Sequence, residues 1–198
     1  KREKWGKSEM RQVRWIVVGV ITVVLTAAAP VAEPPRPVCE AIAFAPQGEK
    51  VKWKHKRTRL FTVKGKEPNH RGQDVVVQAG REQILIAKFA YGRIDKDLKD
   101  ELVEVYVQRE PPCGAWEMLG ETRTSKDGEY EELYGLKDDG GRIFFTIPQE
   151  KRLPVGRYPI RMLVKGDHSS AAFELFVVAP GTEIVVFDID GTLTVGDS

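Results

Sequence analysis

Leu102-Val103-Glu104-Val105-Tyr106-Val107-Gln108-Arg109 is the stretch that decides the fold. Valines at 103, 105 and 107 alternate with Glu104, Tyr106 and Gln108. Successive side chains of a strand point to opposite faces, so a period of two predicts a half-buried strand. The same period returns in Tyr158, Ile160, Met162 and Val164, and again in Phe173, Leu175 and Val177. Apolar and β-branched runs at residues 74–79 and 83–91, separated by Gly80-Arg81-Glu82, add two more strands. Residues 116–123 are a further candidate. Asp138-Asp139-Gly140-Gly141 is a strong turn signal ahead of the run at 142–147, and Leu153-Pro154-Val155-Gly156 precedes the next. Only residues 95–104 suit a helical turn. Short strands joined by turns, with no amphipathic helix of useful length, predict a mainly β chain and a β-sandwich over residues 70–182.

The 198 residues allow one ordinary domain plus accessory segments. A net charge of +2, with 30% charged and 41% hydrophobic residues, makes no bulk case for a nucleic-acid partner. The charge is uneven. Residues 50–66 interleave lysines and arginines with Val51, Trp53, Leu60, Phe61 and Val63. Two readings compete: a patch for a membrane surface or anionic ligand, or an edge strand whose solvated charges resist aggregation. The second is the commoner use of such a run.

Residues 1–32 read as a signal peptide or membrane anchor. Arg11 and Arg14 precede an almost wholly apolar run from Trp15 to Ala29, with Ala27, Ala28, Ala29 and Ala32 at its end. The expected location is exported, periplasmic or membrane-anchored in a cell envelope. Residues 33–69 form a linker and basic stretch, opened by Pro34, Pro35 and Pro37, which suit neither helix nor sheet interior. Cys39 and Cys113 are the two cysteines. Export would favour a disulfide between them, with two free thiols as the alternative. His55, His70 and His168 lack metal-ligand spacing and read as turn or surface residues. Ser169 and Ser170 lie too close to His168 in sequence to suggest a triad.

Near the other end the pattern changes. Ile184, Val185, Val186 and Phe187 are consecutive apolar residues, predicting a strand buried on both faces in a parallel sheet. Asp188 and Asp190 follow, then Gly191 and Thr192. A carboxylate at the end of such a strand can attack phosphorus, and a second can carry a proton. Gly191 allows the chain to turn so that both face one pocket. Two carboxylates beside a phosphate repel, which calls for a hard cation such as Mg²⁺ on Asp188 and Asp190.

The segment Phe187-Asp188-Ile189-Asp190-Gly191-Thr192-Leu193-Thr194 resembles the first motif of the haloacid-dehalogenase superfamily. With the preceding sandwich it looks like the lipin-type phosphatidate phosphatases, in which an immunoglobulin-like β domain leads into the catalytic domain. The resemblance implies Asp188 as nucleophile and metal ligand, and Asp190 as general acid/base and metal ligand through its carbonyl. Gly191 and Thr192 support the motif. It implies a Mg²⁺-dependent phosphatase acting on a phosphorylated small molecule or phospholipid at a membrane surface. Residues 183–198 would be the start of that catalytic domain, so this chain is expected to be an incomplete, inactive piece of the enzyme. The alternative is an envelope-located immunoglobulin-like binding module without catalytic activity.

Overall fold

The computed structural model describes residues 39–63, 67–132 and 135–186. Among these residues two β-sheets form a sandwich, with one eight-residue α-helix, α1 (Lys56–Val63), before the first strand. The first sheet joins β1 (Arg71–Gln73), β3 (Ile84–Lys88) and β8 (Arg142–Thr146), all antiparallel. The second has the order β2 (Val75–Gln78), β10 (Ser170–Val178), β9 (Gly156–Val164), β6 (Leu102–Gln108), β7 (Trp116–Arg123). It is antiparallel apart from the β2–β10 pair, in which Val75 lies opposite Leu175. Within three residues, therefore, the chain leaves one sheet and joins the other. A short hairpin, β4 (Ala90–Tyr91) and β5 (Lys96–Asp97), extends from the end of β3.

The alternating runs account for the core. Val103, Val105 and Val107 of β6, Ile160, Met162 and Val164 of β9, and Leu175 of β10 are each at most 1% exposed. They meet Leu85, Ala87 and Ile143 from the facing sheet. Burying one such side chain contributes roughly 1.5–3 kcal/mol, so this layer dominates the stability of the fold. Gly72 of β1 sits where a Cβ would collide with the ring of Phe173, so the packing of β1 against β10 depends on a residue without a side chain.

The other face of β6 departs from the expected half-solvated strand. Glu104, Tyr106 and Gln108 are also buried. An irregular arm, residues 39–55, covers them. Phe44 packs edge-on against Tyr106 and Trp116, with centroids 5.2 and 5.1 Å away. The Gln108 amide donates to the carbonyls of Pro112 (2.9 Å) and Gly114 (2.8 Å), and more weakly to that of Ile42 (3.3 Å). Glu104 pairs with Lys165 at 2.7 Å and accepts from the Tyr106 hydroxyl at 2.7 Å, while Lys165 also donates to the Gln47 carbonyl. Charges so shielded are tolerable because each has its partners in place. The ring of Trp53 lies against Gly166, leaving no room for a Cβ there. Cys39 and Cys113 are joined as a disulfide, with Cα atoms 5.9 Å apart, and it fixes the start of the arm to the β6–β7 turn.

Three local expectations are corrected. Residues 56–63 form α1 rather than an edge strand. Residues 95–104 make no helical turn; they hold β5 and the start of β6. Residues 183–186 form no strand, and Ile184, Val185 and Val186 are 50%, 73% and 86% exposed. That apolar run finds no neighbouring strand among the described residues, so its side chains stay half or more exposed. The expected N-terminal apolar helix of residues 1–32 lies outside the described residues. No helix among them is long and apolar enough to cross a membrane.

Candidate functional site

Asp188, Asp190, Gly191 and Thr192 all lie outside the described residues. Among those residues no three His, Cys, Asp or Glu side chains are grouped to hold a metal ion. The described surface does, however, carry a cationic depression of about 510 Å³. Its wall is His55, Lys56, Arg57 and Thr58 at the start of α1, with Lys96, Asp97, Lys99 and Lys126 from the other side.

Local hydrogen bonding explains its position. Glu101, 3% exposed, accepts the backbone N–H groups of Lys54 (3.0 Å) and His55 (3.2 Å). A carboxylate placed there compensates the unpaired donors and positive dipole end of the helix that follows. Thr58, 3% exposed, turns inward and leaves Lys56 and Arg57 facing out. Glu101 is itself held by Thr124, whose hydroxyl accepts its N–H at 3.1 Å.

Charge is partly neutralised beneath the depression. Asp100, at φ +56°, adopts a left-handed conformation that short polar residues tolerate best. It pairs with Lys54 (2.6 Å), and with His55 and Lys126 (3.5 Å each). Burial works against its ionised form, but the hydrogen bond from Lys54 and the charges of Lys126 and Lys54 outweigh it and hold the carboxyl below its usual range. Lys99 pairs with Asp127. Asp97 is turned to the buried Lys88 at 2.8 Å, and Lys88 also bonds Asp139 and the Gly140 carbonyl. Lys56, Arg57 and Lys96 make no ion pair among the described residues. They leave a positive rim over compensated charges, suited to phosphate oxygens.

A second polar cluster joins the start of β1 to the β9–β10 turn. His70, read from sequence as a turn or surface residue, is instead half-buried against the rings of Phe89 and Tyr91. Its Nε2 lies 2.9 Å from the Ser169 hydroxyl, which donates to Asp167 at 2.5 Å. The Tyr91 hydroxyl donates to the other Asp167 oxygen at 2.6 Å. Since the serine proton is given to a carboxylate, the imidazole serves as donor rather than as base. Serine thus stands between histidine and aspartate, the wrong order for an activated nucleophile. The role of this cluster is to hold two segments together. Burial lowers the pKa of His70 to about 4 despite the opposing charge of Asp167.

Sequence alone brought Lys56 and Arg57 into one basic run, but gave no signal that Lys96, Lys99 and Lys126 would join them. Those residues are 30 or more positions away, and pairing of the β-strands brings them close.

Comparison with known proteins bears on the sandwich itself. Residues 68–177 match the family described as PITM 1-3, beta-sandwich domain. Protein retinal degeneration B of Drosophila melanogaster is 41% identical over 153 residues, covering 77% of this chain and 11% of that protein. Membrane-associated phosphatidylinositol transfer protein 1 of Homo sapiens is 39% identical over 156 residues, covering 78% and 11%. Membrane-associated phosphatidylinositol transfer protein 3 of Mus musculus is 36% identical over 151 residues, covering 76% and 14%. The match therefore spans only 11–14% of the length of these relatives. A superoxide reductase (neelaredoxin) from Ignicoccus hospitalis aligns over 58% of this chain and 81% of its own, at 14% identity and a TM-score of 0.31, a likeness that carries no argument.

These matches overturn the reading as a lipin-type haloacid-dehalogenase phosphatase, and the hydrolase assignment with it. That reading rested on one short motif and a loose likeness of the sandwich, whereas the family match covers residues 68–177, and two of these relatives are named for phosphatidylinositol transfer. A short acidic turn after an apolar run is too small a pattern to outweigh it. The alternative of an envelope binding module gains no support either. The chain belongs to the PITM 1-3 β-sandwich domain family.

Proposed function

We propose that this chain is the membrane-facing module of a phospholipid-transfer protein, and that its cationic depression contacts anionic phospholipid headgroups. The observation that carries the reading is the cluster of Lys56, Arg57 and Lys96, unpaired among the described residues, on a domain whose relatives are named membrane-associated phosphatidylinositol transfer proteins. The module performs no chemistry in this reading. It supplies attraction and orientation, each cation near an anionic leaflet contributing about 1 kcal/mol. The strand order, with β2 running parallel to β10 at the sheet edge, supports an immunoglobulin-like reading of the sandwich.

Co-sedimentation of the full chain with phosphatidylcholine vesicles, with and without phosphatidylserine, tests this. Binding is expected on the anionic vesicles alone. The triple variant K56E/R57E/K96E should reduce it by about a hundredfold, the equivalent of roughly 3 kcal/mol. Equal binding of the variant and the unchanged chain would refute the assignment.

A further inference from the structure

Two large apolar side chains project from the elements that wall the cationic depression. Ile94 sits at the tip of the β4–β5 hairpin and is 77% exposed, two residues before Lys96. Leu60 of α1 is 63% exposed. Lys56 and Arg57 lie four and three residues before Leu60, so all three share one face of the helix. Both neighbouring elements are firmly held. Asp95, next to Ile94, bonds Arg71 and Asn69, while the start of α1 is anchored by the buried Thr58 and by Glu101, which accepts the N–H groups of Lys54 and His55. Single exposed apolar residues are ordinary on protein surfaces. These two differ because they stand on rigid supports beside unpaired cations.

We propose that Leu60 and Ile94 insert into an anionic bilayer at the boundary between headgroups and acyl chains, while Lys56, Arg57 and Lys96 hold the phosphates around them. The occupant is a lipid surface rather than an acidic protein because the apolar groups are isolated prongs, not a continuous patch. An interfacial element of this kind combines a shallowly buried apolar part with cations at headgroup level. The inference rests on the reading of the depression as a headgroup site, and adds that docking has a component that salt does not screen.

The test uses the full chain and phosphatidylcholine/phosphatidylserine vesicles. Ile94→Cys labelled with an environment-sensitive fluorophore should shift to the blue and brighten on these vesicles, and lipids brominated along the acyl chain should quench it. L60E/I94E should lose affinity by about a hundredfold, on the order of tenfold per residue, with an unchanged circular dichroism spectrum because both sites are exposed. Raising salt to ~0.5 M should weaken the unchanged chain only in part. If K56E/R57E/K96E abolishes binding but L60E/I94E does not, and the label at 94 reports water, the headgroup reading stands and insertion is overturned. Loss in neither variant overturns both. Blue shift on an acidic protein, with none on vesicles, also overturns insertion.

Discussion

At the scale of single residues, His70 is where solution conditions reach the fold. Its imidazole is packed on Phe89 and Tyr91, and burial lowers its pKa to about 4, against 6.5 for an unperturbed histidine. Between these values the unfolded chain binds a proton that the folded chain refuses, so acid favours unfolding. Stability is therefore complete above about pH 6.5 and should fall by about 2–3 kcal/mol as the pH drops toward 4, part of the shift being discounted for residual exposure. Urea unfolding across that range checks the slope. His70→Phe should flatten it, while Ser169 keeps its bond to Asp167. An unaltered slope in that variant would remove His70 as the source.

Among elements, the arm of residues 39–55 has the largest consequence. Without it the face of β6 carrying Glu104, Tyr106 and Gln108 would be the solvated side that its alternation suggests. With it, an ion pair and an amide become interior groups whose partners must stay in place. Phe44 is the main apolar contact over Tyr106 and Trp116. Phe44→Ala is expected to destabilise the chain by about 2 kcal/mol, less than a fully buried phenylalanine because Phe44 is half-buried. Chemical denaturation would measure this. A change within a few tenths of a kcal/mol would mean that the arm rests on the sheet without stabilising it.

For the whole molecule, protection should grade from the middle of the five-stranded sheet outward. β6 lies between β7 and β9 and is covered on both faces, so its opening requires much of the sandwich to come apart. Hydrogen exchange followed by mass spectrometry should find the slowest amides in β6 and β9. The fastest among the described residues should be 183–186, whose apolar side chains are half or more exposed. Equal protection of residues 183–186 and β6 would contradict this order.

By itself the sequence determined the sandwich, because period-two alternation records which side chains face a common core, and the runs at 102–108, 158–164 and 173–177 all did so. It also placed the breaks at 138–141 and 153–155 ahead of β8 and β9, where glycine and proline act locally. It could not show that the polar face of β6 would be covered, since alternation describes one strand and is silent about a segment 50 or more residues earlier. The same limit hid the meeting of Lys56 and Arg57 with Lys96, and of His70 with Ser169. The apolar run at 184–187 misled for a related reason: such a pattern describes a buried strand only if neighbouring strands bury it, and for residues 184–186 the described fold supplies none. Local periodicity is a property of a segment, whereas burial and charge clustering belong to pairs of segments, and only the packed sheets decide which pairs meet.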